Sequence, residues 1–263
     1  MAVAVALLTG SAAAAGPPGG PLTRCPVDAV LSGAGCMDRY EASVWRVPTP
    51  TTVNKSLVSR IRSGKATADD LAKGGATQLG VFTDDYAPCA DSAQNCANDI
   101  YAVSLPGVLP SANITWFQAQ EACANAGKRL PTSAEWQVAA NGTPDPGPDN
   151  GTTDCNSTGV VPTLTTPTGA RSSCVSARGA FDMVGNVAEW VADWVTASAN
   201  CPGWGGFSND AMCLAGASAT LNFPGALVRG GGFVVAEGPL AGPLAVNNTP
   251  TSISGFVGFR CTR

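Results

Sequence analysis

The chain has 263 residues, 44% of them hydrophobic and only 13% charged, with 15 Lys and Arg against 19 Asp and Glu for a net charge of −4. That length can bury a sizeable core, while so sparse and mildly acidic a charge set offers no basic stripe for nucleic acid and no polybasic patch for a membrane surface. Histidine is absent, which excludes His-assisted serine or cysteine nucleophiles, imidazole zinc sites and the two-His iron triad.

The first twenty residues, MAVAVALLTGSAAAAGPPGG, combine a short apolar run with small residues and an Ala-x-Ala-like site at Ala13 to Ala15. They predict a secretory signal over 1–20, although the usual positive n-region is missing. Nothing else approaches the roughly 20 apolar residues of a membrane-spanning helix. The ten cysteines are Cys25, Cys36, Cys89, Cys96, Cys123, Cys155, Cys174, Cys201, Cys213 and Cys261, spread singly with no CxxC. An even, dispersed set reads as a disulfide framework in a secreted, periplasmic or cell-surface protein. Sequence neighbours suggest Cys25 with Cys36, Cys89 with Cys96, Cys155 with Cys174 and Cys201 with Cys213, which leaves Cys123 to Cys261.

After the signal, the remainder from residue 21 to 263 shows no domain linker and no internal repeat. The stretch CPVDAVLSGAGCMDRYEASVW alternates around Gly33 to Gly35 and predicts a hairpin. Residues 49–99 are rich in Thr, Ser, Ala and Asp and predict a polar insertion with a small disulfide loop rather than core. In NITWFQAQEACANAGKRLP, Trp116, Ala119, Cys123 and Ala126 recur at helical spacing, between a cap at Thr115 and a stop at Gly127. Thr132 and Glu135 then form a capping-box pattern for a second short helix ending near Asn141-Gly142. Residues 141–180 are turn-rich, and short apolar runs divided by glycines predict strands and long loops thereafter.

In AFDMVGNVAEWVADW, Asp182 and Glu189 flank a Gly185-Asn186 turn. Such a turn can aim two carboxylates and intervening carbonyls at one hard cation such as calcium. The plainer alternative has Asp182 capping a turn and Glu189 paired with an arginine. The glycines of VRGGGF lack the Lys-Ser/Thr of a phosphate loop and precede no helix start, so they read as bulges or close backbone approach.

Taken in order, ITWFQAQEACANAGKRLPTSAEW, GAFDMVGNVAEWVADW, VRGGGF and GFVGFRC resemble the signature segments of the formylglycine-generating enzyme family, the sulfatase-modifying-factor domain. The resemblance runs from about Cys25 to Cys261, with 49–99 poorly covered. It implies an α+β variant of the C-type lectin-like fold, with few helices, short strands and much irregular loop. It implies the Cys123–Cys261 pairing again. It also implies Ca2+ held by the side chains of Asp182 and Glu189 and the carbonyls of Gly185 and Val187, with a second family calcium site beginning near Asn156.

Active members of this family oxidise a sulfatase cysteine to formylglycine with copper on two thiolates just beyond an RGGS motif, soft ligands for a soft ion. Here Gly232 replaces that serine, and the window FVVAEGPLAGPLAV carries no cysteine, histidine or methionine. The copper chemistry therefore does not transfer, and no catalytic residue is assigned. The segment from Phe233 to Val257 also resembles the variable region of retroelement-diversified proteins. That resemblance makes Phe233, Val234, Val235, Glu237, Leu240, Leu244, Val246, Asn247, Ile253 and Phe256 candidate contacts for a protein or glycan ligand. The plainer alternative makes these apolar positions core of the last strands. The expected function is a secreted, disulfide-stapled, calcium-binding lectin-like scaffold; the alternatives are a formylglycine-generating or related oxidase and a structural envelope accessory protein.

Overall fold

The computed structural model describes residues 24–144, 149–157, 164–206, 208–216, 224–233, 242–249 and 254–263. The expected signal segment, 1–20, lies outside them. Strands β1 (Ala29–Ser32) and β2 (Gly35–Asp38) pair antiparallel across Gly33 and Ala34. Gly33 takes φ +61°, a left-handed conformation that suits a two-residue hairpin turn and that glycine adopts without a Cβ clash.

β3 (Ala42–Arg46) is the centre of a three-stranded antiparallel sheet, flanked by β4 (Thr77–Leu79) and β5 (Ile100–Ser104). Between β3 and β4 run helices α1 (Lys55–Arg62) and α2 (Ala68–Lys73). This part of 49–99 corrects the reading of a polar excursion outside the core. Leu57, Val58 and Ile61 of α1 and Leu71 of α2 are buried with Val47, Tyr101, Val103 and Leu105 in a core of their own. A few apolar residues on one helical face make that core, while Lys55, Ser59, Arg60 and Arg62 face water and dominate the composition.

α3 (Trp116–Asn125) begins at Thr115, whose hydroxyl and the Gln118 side chain form a reciprocal capping box. It ends in a Schellman turn: the Gly127 N–H donates to the Ala124 carbonyl, the Lys128 N–H to the Cys123 carbonyl, both at 2.9 Å, and Gly127 sits at φ +70°. α4 (Ser133–Ala140) opens with the Thr132–Glu135 capping box. The last sheet has the order β8-β7-β6-β9, built from β6 (Ala188–Thr196), β7 (Pro224–Arg229), β8 (Val246–Thr249) and β9 (Val257–Phe259). β9 runs parallel to β6, and the other pairings are antiparallel.

The main core lies among the last two sheets and α3, where Val44, Ile100, Ile114, Leu130, Trp190, Val228 and Phe259 are all buried. Each such side chain contributes about 1.5–3 kcal/mol over its exposed state. Five disulfides join Cys25 to Cys36, Cys89 to Cys96, Cys123 to Cys261, Cys155 to Cys174 and Cys201 to Cys213, and no cysteine is free. Cys123–Cys261 ties α3 to the residue pair after β9. Among the described residues, no helix is long and apolar enough to cross a membrane.

Candidate functional site

The turn leading into β6 is held by backbone conformations that few sequences adopt. Asp182, Gly185 and Asn186 have φ values of +56°, +75° and +56°. A Cβ at Gly185 would stand 2.3 Å from the Asn156 carbonyl oxygen, so this position requires glycine. The Asn186 N–H donates to that same Asn156 carbonyl at 2.8 Å. The Asn186 side chain donates to Glu41 Oε2 at 2.5 Å and to the Thr166 carbonyl at 3.1 Å, and it accepts from the Thr166 N–H at 2.8 Å. Glu41 Oε1 accepts from the Val187 N–H at 3.0 Å.

The glycine run after β7 docks on this turn. The Gly185 N–H donates to the Gly230 carbonyl at 3.1 Å, and the Phe233 N–H donates to the Asn186 carbonyl at 2.9 Å. Gly230 sits at φ +80°, where an added Cβ would meet the Met183 carbonyl at 2.8 Å. The run is therefore a place of close backbone approach. Arg229 stacks its guanidinium 4.5 Å from the centre of the Trp136 ring and donates to the Ser133 hydroxyl and the Gln137 side chain, which fixes α4 against β7.

At the end of the turn Glu189 is buried, and both of its oxygens are engaged. Arg260 donates from Nε to Oε2 at 2.7 Å and from Nη2 to Oε1 at 2.5 Å, and the Trp136 indole N–H donates to Oε2 at 2.7 Å. Arg260 also donates to the carbonyls of Asp38 and Phe181, at 3.1 and 2.9 Å. Asp182 accepts from the Gly169 N–H at 2.7 Å through Oδ2.

Three buried carboxylates, Glu41, Asp182 and Glu189, therefore share one neighbourhood. Burial raises Glu41 well above the usual carboxylate range, and Asp182 and Glu189 push it further. Burial likewise lifts Asp182 to about 6, against the pull of the Gly169 N–H and Arg260 and with a further push from Glu189. Arg260 pairs with Glu189 and Arg171 with Asp149, and among the described residues neither Glu41 nor Asp182 forms an ion pair.

Asp182, Gly185, Val187 and Glu189 thus fall on one turn. Glu189 is paired with Arg260, as the plainer alternative expected, and Asp182 accepts from the Gly169 N–H; a hard cation here would have to share both carboxylates with these partners. Among the described residues no three His, Cys, Asp or Glu side chains close on a metal-sized site; the set in question has only two side chains, completed by two carbonyls. Copper(I) does not fit, because every cysteine is in a disulfide and the chain has no histidine.

The candidate contact positions divide. Phe233 and Val246 are buried, and Val246 packs in a core with Met37, Trp136 and Leu227; in this structure those two are core, because β8 and the Phe233 backbone are drawn into the sheet and the turn. Leu244 is half-buried, with its N–H on Asp210 Oδ2 at 2.7 Å. Asn247 and Phe256 are exposed, Phe256 at 47%. Val234, Val235, Glu237, Leu240 and Ile253 lie outside the described residues. Glu41 and Arg260 escape sequence reasoning as site residues, because nothing local marks a lone carboxylate or arginine whose partner is 146 or 71 positions away.

Fold and site define a disulfide-stapled α+β domain of the formylglycine-generating-enzyme-like, C-type lectin-like kind. The chain belongs to the sulfatase-modifying factor enzyme 1-like domain family, whose model matches residues 78–263, more than half of the chain. Among curated proteins it is similar to the formylglycine-generating enzyme of Thermomonospora curvata, 29% identical over 173 residues, covering 58% of this chain and 54% of that protein. It is also similar to the serine/threonine-protein kinase Pkn1 of Chlamydia trachomatis, 30% identical over 163 residues, covering 59% of this chain and 24% of the kinase. The chain thus spans between about a quarter and about half of the length of these relatives. Among solved structures it is similar to the Major Tropism Determinant U1 variant, with a TM-score of 0.45 and 16% identity, covering 92% of this chain and 54% of that one. PvdO from Pseudomonas aeruginosa gives a TM-score of 0.38 and 22% identity, covering 59% and 62%.

Proposed function

We propose that this domain is a binding module rather than an oxidase: an exported, calcium-loaded scaffold whose C-terminal loops hold a protein or glycan ligand. The observation that carries this reading is the state of the cysteines. All ten are in disulfides, and the window after Gly232 has no cysteine, histidine or methionine to hold copper(I). Five disulfides are in keeping with an oxidising compartment and with the signal-like first twenty residues.

Calcium would be held by Asp182 and Glu189 with the Gly185 and Val187 carbonyls, and bound there it would supply positive charge and no redox chemistry. Among the described candidate positions, Phe256 before β9 and Asn247 on β8 are exposed and offer side-chain surface to a ligand. Oxygen uptake with a Cys-x-Pro-x-Arg peptide after copper loading tests the reading: uptake at the no-enzyme background supports it, and peptide-dependent uptake overturns it. Retroelement diversification of the loops requires a neighbouring reverse transcriptase gene and a near-copy of the codons for 233–257 differing mainly at adenines.

A further inference from the structure

A cleft of about 780 Å³ opens between the α1–α2 turn and the first two sheets. Val27 and Asp28 border it from the N-terminal side, Arg39 and Tyr40 from the link between β2 and β3, residues 64–69 from the insertion and 104–106 from the end of β5. Its walls are held in place. Gly64, at φ +68°, packs so tightly on Asp28 that an added Cβ would lie 2.1 Å from Oδ1. The Ser104 hydroxyl donates to the Asp28 carbonyl at 2.9 Å and accepts from the Tyr40 N–H at 3.1 Å. Tyr40 stacks on Phe181 with ring centres 5.3 Å apart.

The charges lining the cleft are unbalanced. Asp28 is held by Arg263 through two contacts of 3.1 Å, with Lys128 at 3.8 Å. Asp69 is paired with Lys73 at 2.5 Å. Both carboxylates are thus matched. Neither Arg39 nor Lys65 forms an ion pair among the described residues, and the one side-chain hydrogen bond of Arg39 is a 3.4 Å contact to the Gly179 carbonyl. Tyr40, Val27, Leu105 and Pro106 line the same cleft. Concave sites of this size with apolar walls and a few charged groups are the usual form of small-molecule sites, and guanidinium and ammonium groups without partners select anions.

We propose that this cleft binds a small organic anion, a carboxylate or sulfate ester on a compact aromatic or aliphatic body, with Arg39 and Lys65 on the charge and Tyr40 against the apolar part. The site shares no residue with the turn at 182–189 or with the C-terminal loops, so it stands or falls independently of the function proposed above. The probes are phenylacetate, phenyl sulfate and the neutral phenylacetamide, titrated into the full chain and followed by ligand-observed NMR and calorimetry. Both anions are expected to bind and the amide at least about tenfold more weakly, with Arg39→Gln and Lys65→Gln each lowering anion affinity by about tenfold. Melting temperatures within error of the parent separate this from misfolding, and because Lys65 is exposed, Lys65→Gln remains informative if Arg39→Gln does not fold. Equal binding of amide and acid, anion affinity unchanged from the parent in both variants, or no binding of either anion at about 10 mM, far above the usual ligand range, overturns the proposal.

Discussion

Glu189 and Arg260 form a two-point ion pair with both side chains sealed from solvent, joining the first residues of β6 to the residue after β9 across 71 positions. The parallel β6–β9 pairing and the turn at 182–189 depend on the same contact. Arg260→Met strands a buried carboxylate and is expected to cost about 3–5 kcal/mol. Urea unfolding measures it, and the doubly apolar Arg260→Met/Glu189→Leu variant should recover part of the loss.

Calcium binding predicts a chelator-sensitive fold. At free calcium about a hundredfold above its dissociation constant, the ion adds about 2.7 kcal/mol, or about 5–10 °C of melting temperature for a chain of this size. EDTA should remove that increment, and Asp182→Ala should abolish the difference between calcium and EDTA. A parent melt unchanged by chelator would exclude a stabilising ion at this turn.

Gly185 allows no side chain. Gly185→Ala adds a Cβ 2.3 Å from the Asn156 carbonyl oxygen at φ +75°. The backbone term alone costs about 1–2 kcal/mol, and the clash adds to it. Thermal melts should show a loss larger than that of Gly107→Ala, where φ is +73° but nothing lies within 4 Å.

The acid limb of stability should depend on Glu135. Its carboxyl is held down to about 2, first by hydrogen bonds from Arg129 and, against the opposing effect of burial, by the Thr132 N–H. A folded value below the ordinary 4.5 means that the carboxylate stabilises the fold fully above about 4.5, and that the contribution fades as pH falls toward 2. Glu135→Gln should therefore lower the melting temperature at pH 7 and flatten its decline between pH 4.5 and 2.

The disulfides should not be equivalent. On loop-entropy grounds the Cys123–Cys261 bridge, spanning 138 residues, is worth roughly 5 kcal/mol and the seven-residue Cys89–Cys96 loop roughly half of that. Paired Cys→Ala variants compared by urea unfolding should keep this order.

Local chemistry made part of this molecule legible. α3 and α4 announce themselves through Thr115 and Thr132 caps, and the first hairpin through Gly33. The helices of the insertion do not, since Leu57, Val58, Ile61 and Leu71 are outnumbered by the polar residues around them. The turn at 182–189 reads as a ligand site, yet its third carboxylate, Glu41, comes from the link before β3 and is brought there only by tertiary packing. The parallel register of β6 and β9 is likewise a product of long-range contacts, with no signature in either strand.

The state of the cysteines separates a binding module from an oxidase. Thiol titration of the denatured but unreduced protein, run beside a copper(I)-binding assay on the native protein, tests it directly. No reactive thiol and no stoichiometric copper is the predicted result. Two titratable thiols with one tightly bound copper ion per chain would contradict it, and would return the domain to oxidative chemistry.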